Sequence, residues 1–156
     1  MGLIVVGLSA GGNLVTVHDA GRVGITVDKT GQPVIVVLTC DTATPLIDLS
    51  EGRKPSDPDT KENVHRGNWQ ARKGFAGVRM LAVAKPSDEW STTKDPGKLE
   101  SDRLFIVDGG TAEDKDASLH AVSFTTQDLA RLSPTQVRVD EKIEPLSTFG
   151  TYRCQK

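Results

Sequence analysis

Residues 22 to 40 read Arg22-Val23-Gly24-Ile25-Thr26-Val27-Asp28-Lys29-Thr30-Gly31-Gln32-Pro33-Val34-Ile35-Val36-Val37-Leu38-Thr39-Cys40, and this stretch decides the fold. Val23, Ile25 and Val27 alternate with Gly24, Thr26 and Asp28, the period of a strand with one buried and one wetter face. Lys29-Thr30-Gly31-Gln32 supplies turn chemistry. Pro33 to Cys40 then returns as a nearly unbroken apolar run, which predicts a strand covered on both sides. The segment is a β-hairpin written almost residue by residue.

Outward from the hairpin the same grammar recurs. Pro45 to Leu49 reads as a short strand, and the charged, Pro-containing stretch 50–64 as a solvated loop. His65, Gly67, Trp69 and Ala71 fall on one face of a strand anchored by Trp69, and Gly77 to Val83 alternates again. Residues 85–101 form a second polar excursion, interrupted by Trp90 and Leu99, so part of it is expected to fold back onto the body. Asp102 to Val107 is a strand ended by Asp108-Gly109-Gly110, and Ser118 to Phe124 is another. Thr125-Thr126-Gln127-Asp128 offers an N-cap and an acidic first turn for a short helix through Leu132, stopped by Pro134. Gln136 to Asp140 and Ser147 to Cys154 each read as a further strand. Short strands with turn signals between them predict an all-β domain, an immunoglobulin-like antiparallel β-sandwich with one short helix, and a β-barrel as the alternative.

The chain has 156 residues, room for a single domain with its own core, here placed at 17–156. Its 19 basic and 21 acidic side chains leave a net charge of -2, without the basic face that nucleic acid requires. Two Trp, one Tyr and four Phe are too few for a stacking platform. No apolar run approaches the ~20 residues of a transmembrane helix. We therefore expect no nucleic-acid partner and no transmembrane segment, and no cofactor-binding motif stands out.

Residues 1–16 read as a signal-peptide remnant or as an N-terminal strand. Leu3 to Leu8 is apolar and Ser9-Ala10-Gly11-Gly12 is small, which suits cleavage after Ala10, although a basic leading region is missing. Gly7-Leu8-Ser9-Ala10-Gly11 also fits the G-x-S-x-G nucleophile elbow. That elbow requires a helix after Ser9 and an upstream oxyanion donor, and the sequence offers neither, so no catalytic residue is assigned.

Cys40 and Cys154 are the only cysteines. If paired, they close a long loop worth roughly 4–5 kcal/mol by chain entropy; in a reducing compartment they stay thiols. The even count, and the strand-like segment each one closes, favour the disulfide and an extracytoplasmic, secreted location.

The order of features resembles that of small exported proteins of actinobacteria. The matching residues are Gly31 to Val36, Thr39-Cys40, Trp69, Leu104 to Val107, Val122 to Leu129, Ser133 to Val137 and Cys154, spanning about 22–154. The resemblance implies export and a β-sandwich, and it brings no catalytic residues to carry over.

The candidate sites are few. His18, His65 and His120 are far apart in sequence, against the convergent spacing of a zinc site. His18 beside Asp19 reads as a solvated pair, and His120 as a half-buried neighbour of Val122 and Phe124. The oxygen-rich stretches Asp57 to Glu62 and Asp108 to Asp116 lack the order of a calcium loop and carry Lys61 and Lys115, so no metal is assigned. Trp69 reads as core. Trp90, in a polar stretch, either pins its loop or offers a contact, and is the one residue named as a tentative binding contact. The functional expectation is a non-enzymatic exported binding or interaction module at the cell envelope, contacting an envelope or protein partner through loops 50–64 and 85–101. The alternatives are a structural subunit of a phage or appendage, using residues 1–16 as an interchain strand, and a serine hydrolase using Ser9.

Overall fold

A computed structural model describes residues 16–54, 56–59 and 61–155. In these, ten strands form one hydrogen-bonded sheet: β1 His18–Val27, β2 Pro33–Ala43, β3 Pro45–Glu51, β4 Val64–Ala71, β5 Phe75–Ala82, β6 Trp90–Lys94, β7 Phe105–Thr111, β8 Ala117–Phe124, β9 Gln136–Val139 and β10 Lys142–Pro145. A helix, α1, spans Thr126–Ala130, and a short 3-10 helix spans Leu146–Thr151. The long path through the sheet runs β5-β2-β1-β8-β7-β3-β4-β6 and curls into a half-barrel.

The hairpin forms as its residues dictate. Val27 pairs with Pro33, Ile25 with Ile35 and Val23 with Val37. The turn is organised by Asp28, whose Oδ1 accepts from the Thr30 N–H at 2.8 Å, the Thr30 hydroxyl at 2.6 Å and the Gln32 N–H at 3.0 Å. Gly31 takes the positive φ of 84° that this turn needs. Val23, Ile25, Val27, Ile35 and Val37 all enter the main core, together with Ile47, Leu49, Trp69, Leu81, Phe105, Leu119 and Phe124.

β2 is covered on both sides, as its apolar run predicts. Val36 and Leu38 face away from the main core into a second cluster with Val137, Val139 and Phe149. The same cover corrects the expected wet face of β1. Thr26 is buried and its hydroxyl donates to the Gln136 carbonyl. A Cβ at Gly24 would approach Val137 Cγ2 to 2.6 Å, so only glycine lets β9 lie this close.

The all-β expectation holds, but the sheet is mixed and the strands are not divided between two antiparallel sheets as in an immunoglobulin-like sandwich. β1 and β8 run parallel, His18 opposite Ala117 and Arg22 opposite His120, with a shift between Asp19 and Gly21. The β9–β10 hairpin attaches to the other half of β1 through Ile25 and Arg138. The nearer of the two expected architectures is the barrel.

Local signals set several boundaries. Thr125 caps α1: its hydroxyl accepts from the Asp128 N–H at 3.2 Å, while Asp128 Oδ2 accepts from the Thr125 N–H at 2.8 Å. Asp108-Gly109-Gly110 does not end β7. The strand continues to Thr111, because Gly109 is required where the Leu46 carbonyl oxygen would lie 2.5 Å from a Cβ. Residues 147–154, expected as a strand, instead begin in the 3-10 helix. There Thr148 and Thr151 donate to the Pro145 and Thr148 carbonyls, and the bend drops Phe149 fully into the second cluster.

Cys40 on β2 and Cys154 lie at disulfide distance, with Cα atoms 6.1 Å apart and a sequence separation of 114.

Candidate functional site

β5 and β6 end the curled path and are not hydrogen-bonded to each other as strands, which leaves a seam in the wall of the half-barrel. The two are consecutive in the chain, joined by residues 83–89, and the turn 72–74 joins β4 to β5 at the same end. Trp90 bridges the seam. Its indole Nε1 donates to the Met80 carbonyl at 3.0 Å, and its ring meets Phe75 edge-on with centroids 6.2 Å apart. The Arg72 N–H donates to the Glu89 carbonyl at 2.8 Å, fixing the loop end beside the turn. What remains open is a cleft of about 390 Å³, walled by residues 71–75, Arg79 and residues 88–90.

Arg79 is placed there by strand period. It shares the inward face of β5 with Leu81, a position where alternation calls for an apolar side chain. At the seam its guanidinium escapes burial and lies 5.0 Å from the centre of the Phe75 ring. Nη1 donates to the Val78 carbonyl at 3.0 Å, and Nε stands 3.5 Å from Glu89 Oε1. Both partners of that ion pair are exposed, so it is weak. Arg72 and Lys73 also line the cleft, and among the described residues neither has a carboxylate partner. Three cations thus face two carboxylates, Asp88 and Glu89, over an aromatic floor. The lining carries no hydroxyl, thiol or imidazole side chain. Its chemistry is recognition of an anionic group beside a flat apolar surface.

Trp90 is therefore a pin first: it is 3% exposed and belongs to the main core, while it also lines the cleft. Part of 85–101 does fold back, through Trp90 and through Leu99, which packs on the core. Trp69 is fully buried, as expected. Ser9 lies outside the described residues.

The three histidines meet three different carboxylates. His18 does not pair with its neighbour Asp19; its Nδ1 is 2.6 Å from Asp114 Oδ2, a hydrogen bond that raises the imidazole pKa. His65 Nε2 is 3.0 Å from Asp48 Oδ1, which also accepts from Asn68 at 2.7 Å. Asp108 pairs across from Asp48, and burial, then the Asp48 charge, pushes its carboxyl above the usual range. His120 is turned to the exposed side, 3.4 Å from Asp19 Oδ1, and does not share the face of Val122 and Phe124. The cause is the register shift against β7, where Val107 pairs with Val122 but Gly109 with Leu119.

The acidic stretches are organised by their own chain. Asp57 Oδ2 accepts from the Lys54 N–H at 2.8 Å and stands 3.4 Å from Lys61 Nζ, while Glu113 accepts from the Thr44 N–H and hydroxyl. Among the described residues no three His, Cys, Asp or Glu side chains gather as a metal site. Arg79, Phe75, Arg72 and Lys73 escaped the sequence reading, whereas Asp88 and Glu89 lie within the 85–101 loop expected to make contacts. The available signal was a charged residue on the apolar face of an alternating strand.

Fold and site together define an all-β half-barrel with a distant cysteine pair and a cleft at its open seam. Among its described residues no helix is long and apolar enough to cross a membrane. Compared with protein-family models, curated proteins and solved structures, the chain matches none significantly.

Proposed function

We propose that the protein is a non-enzymatic binding module, exported to the cell envelope, whose contact surface is the seam cleft and the 83–89 loop beside it. The single observation that carries this reading is the inward Arg79 on the Phe75–Trp90 floor. A cation set beside an aromatic floor in a small cleft is the kind of convergent charged group that fixes the orientation of something bound there. The Cys40–Cys154 pair supports an oxidising compartment. The half-barrel serves as the rigid scaffold that the immunoglobulin-like sandwich was expected to supply.

A photo-cross-linking side chain at position 73, introduced in intact cells, tests the reading. The expected result is a dominant adduct that the same probe at position 29, in the hairpin turn, does not form. Identical adducts at both positions, or none, remove it.

A self-assembling structural subunit is the second reading, and the outer edges of β5 and β6, which no other described strand pairs with, favour it. Backbone groups at such edges accept an added strand. Assembly that rises with concentration and disappears on deleting residues 1–16 is its signature; a monomer at all concentrations excludes it.

A further inference from the structure

We infer that the seam cleft takes a carboxylate borne on a single flat or apolar group, an inference that rests on the binding-module reading and adds the ligand's chemistry to it. The volume is the first constraint. About 390 Å³ is near the lower end for small-molecule sites and admits one side-chain-sized body.

Charge is the second. Arg72, Lys73 and Arg79 exceed Asp88 and Glu89 by one positive charge, which matches a monoanion. A phosphate dianion would sit against two carboxylates with that same single excess. Arg72 and Lys73, which have no carboxylate partner among the described residues, are the groups most ready to receive the anion, and Arg79 can add to them. The Arg79 contact with Glu89 is long at 3.5 Å and exposed on both sides, so exchange for a ligand carboxylate replaces a weak pair with a bidentate one.

The floor is the third. Phe75 already holds a cation over its ring, and Trp90 and Ala71 line the cleft beside it, so an apolar body packs against aromatic carbon while its acid group reaches Arg72 and Lys73. Such a ligand has two sources: a free aromatic acid, or the C-terminal residue of a peptide ending in an apolar side chain.

Trp90 makes the test direct. Protein labelled with ¹⁵N-tryptophan has two indole signals, from Trp69 and Trp90, and Trp90→Phe assigns them. N-Acetylphenylalanine is expected to shift the Trp90 signal saturably and leave Trp69 in place, while its amide shifts neither signal. In the Arg72→Gln/Lys73→Gln variant, whose folding the unmoved Trp69 signal certifies, affinity is expected to fall about tenfold or more.

A pentapeptide ending in phenylalanine, as acid and as amide, identifies the source: acid-only binding tighter than the amino acid indicates a chain terminus, and equal binding a free acid. An equal response to the amide, an equal response to inorganic phosphate, no movement of Trp90, or unchanged affinity in the double variant overturns the inference. If any of these occurs while the probe at position 73 still captures its own adduct, the module reading stands and only the ligand class is wrong.

Discussion

The Tyr152 hydroxyl donates to Asp19 Oδ2 at 2.6 Å, joining residues 133 apart in sequence. The same oxygen accepts from the Gln155 N–H at 2.7 Å, and Oδ1 accepts from the Gly21 N–H at 3.2 Å. Asp19 is only 9% exposed. With Cys154 bonded to Cys40, this carboxylate holds the end of the chain against the first strand. Arg22 completes the clamp, its guanidinium 4.5 Å from the Phe149 ring centre and 5.0 Å from that of Tyr152.

The clamp has a pH signature at both ends of the scale. Burial, then the bond to Asp19, pushes Tyr152 up to about 12 from its ordinary 10. A raised folded-state pKa means stability intact below pH 10 and lost as pH rises toward 12. Burial alone would raise Asp19, but hydrogen bonds from Tyr152, Gln155 and Gly21 overcome it and lower the pKa. That contribution is present above the ordinary value of 3.8 and fades as pH falls below it. Tyr152→Phe is expected to lose about 1–2 kcal/mol at pH 7 and to flatten the alkaline limb. Urea titrations from pH 3 to 12 on both proteins check this.

Removal of the cysteine pair is expected to be the larger loss. Closing a loop of 114 residues restricts the unfolded chain by about 4–5 kcal/mol in the chain-entropy model. Cys40→Ser/Cys154→Ser and the reduced wild type should lose similar stability in guanidinium titrations. Alkylation of protein from its native setting, followed by intact mass, should find no free thiol.

Two glycines with positive φ are expected to respond very differently to alanine. Gly21, at φ 149°, has no room, since a Cβ there would overlap the Leu38 carbonyl. Gly31, at φ 84°, has nothing within 4 Å. Gly31→Ala should cost about 1 kcal/mol of backbone strain. Gly21→Ala should cost about 3 kcal/mol or more, because the β1–β2 ladder has to move. Thermal unfolding of the two variants separates them.

Asp108→Asn is expected to stabilise the protein at neutral pH. Its carboxyl is raised by burial and by Asp48, so the charged form carries a penalty that sets in as pH rises past 3.8. The gain should vanish below pH 3, where wild type and variant are both neutral. Denaturant midpoints measured at pH 3 and pH 7 check it.

Local chemistry made much of the fold legible. The hairpin, the Thr125–Asp128 cap and the core position of Trp69 each follow from residues whose preference outweighs their surroundings. β10 was missed because Lys142 to Pro145 is half charged, ends in proline and is mostly exposed; it is a strand only by pairing with β9 across the Asp140 turn, at φ 56°. β6 escaped in the same way, as an exposed edge hidden in a polar stretch and marked only by Trp90.

The residue pattern by itself determined that this chain forms short strands, where most of them lie, and that β2 is covered twice, because period and apolarity act over a few neighbouring residues. Only the tertiary structure decided that β1 lies parallel to β8, that the strands share one curled sheet, and that Arg79 faces a seam. Those outcomes depend on which distant strands share hydrogen bonds, and alternation is the same whichever neighbour a strand takes.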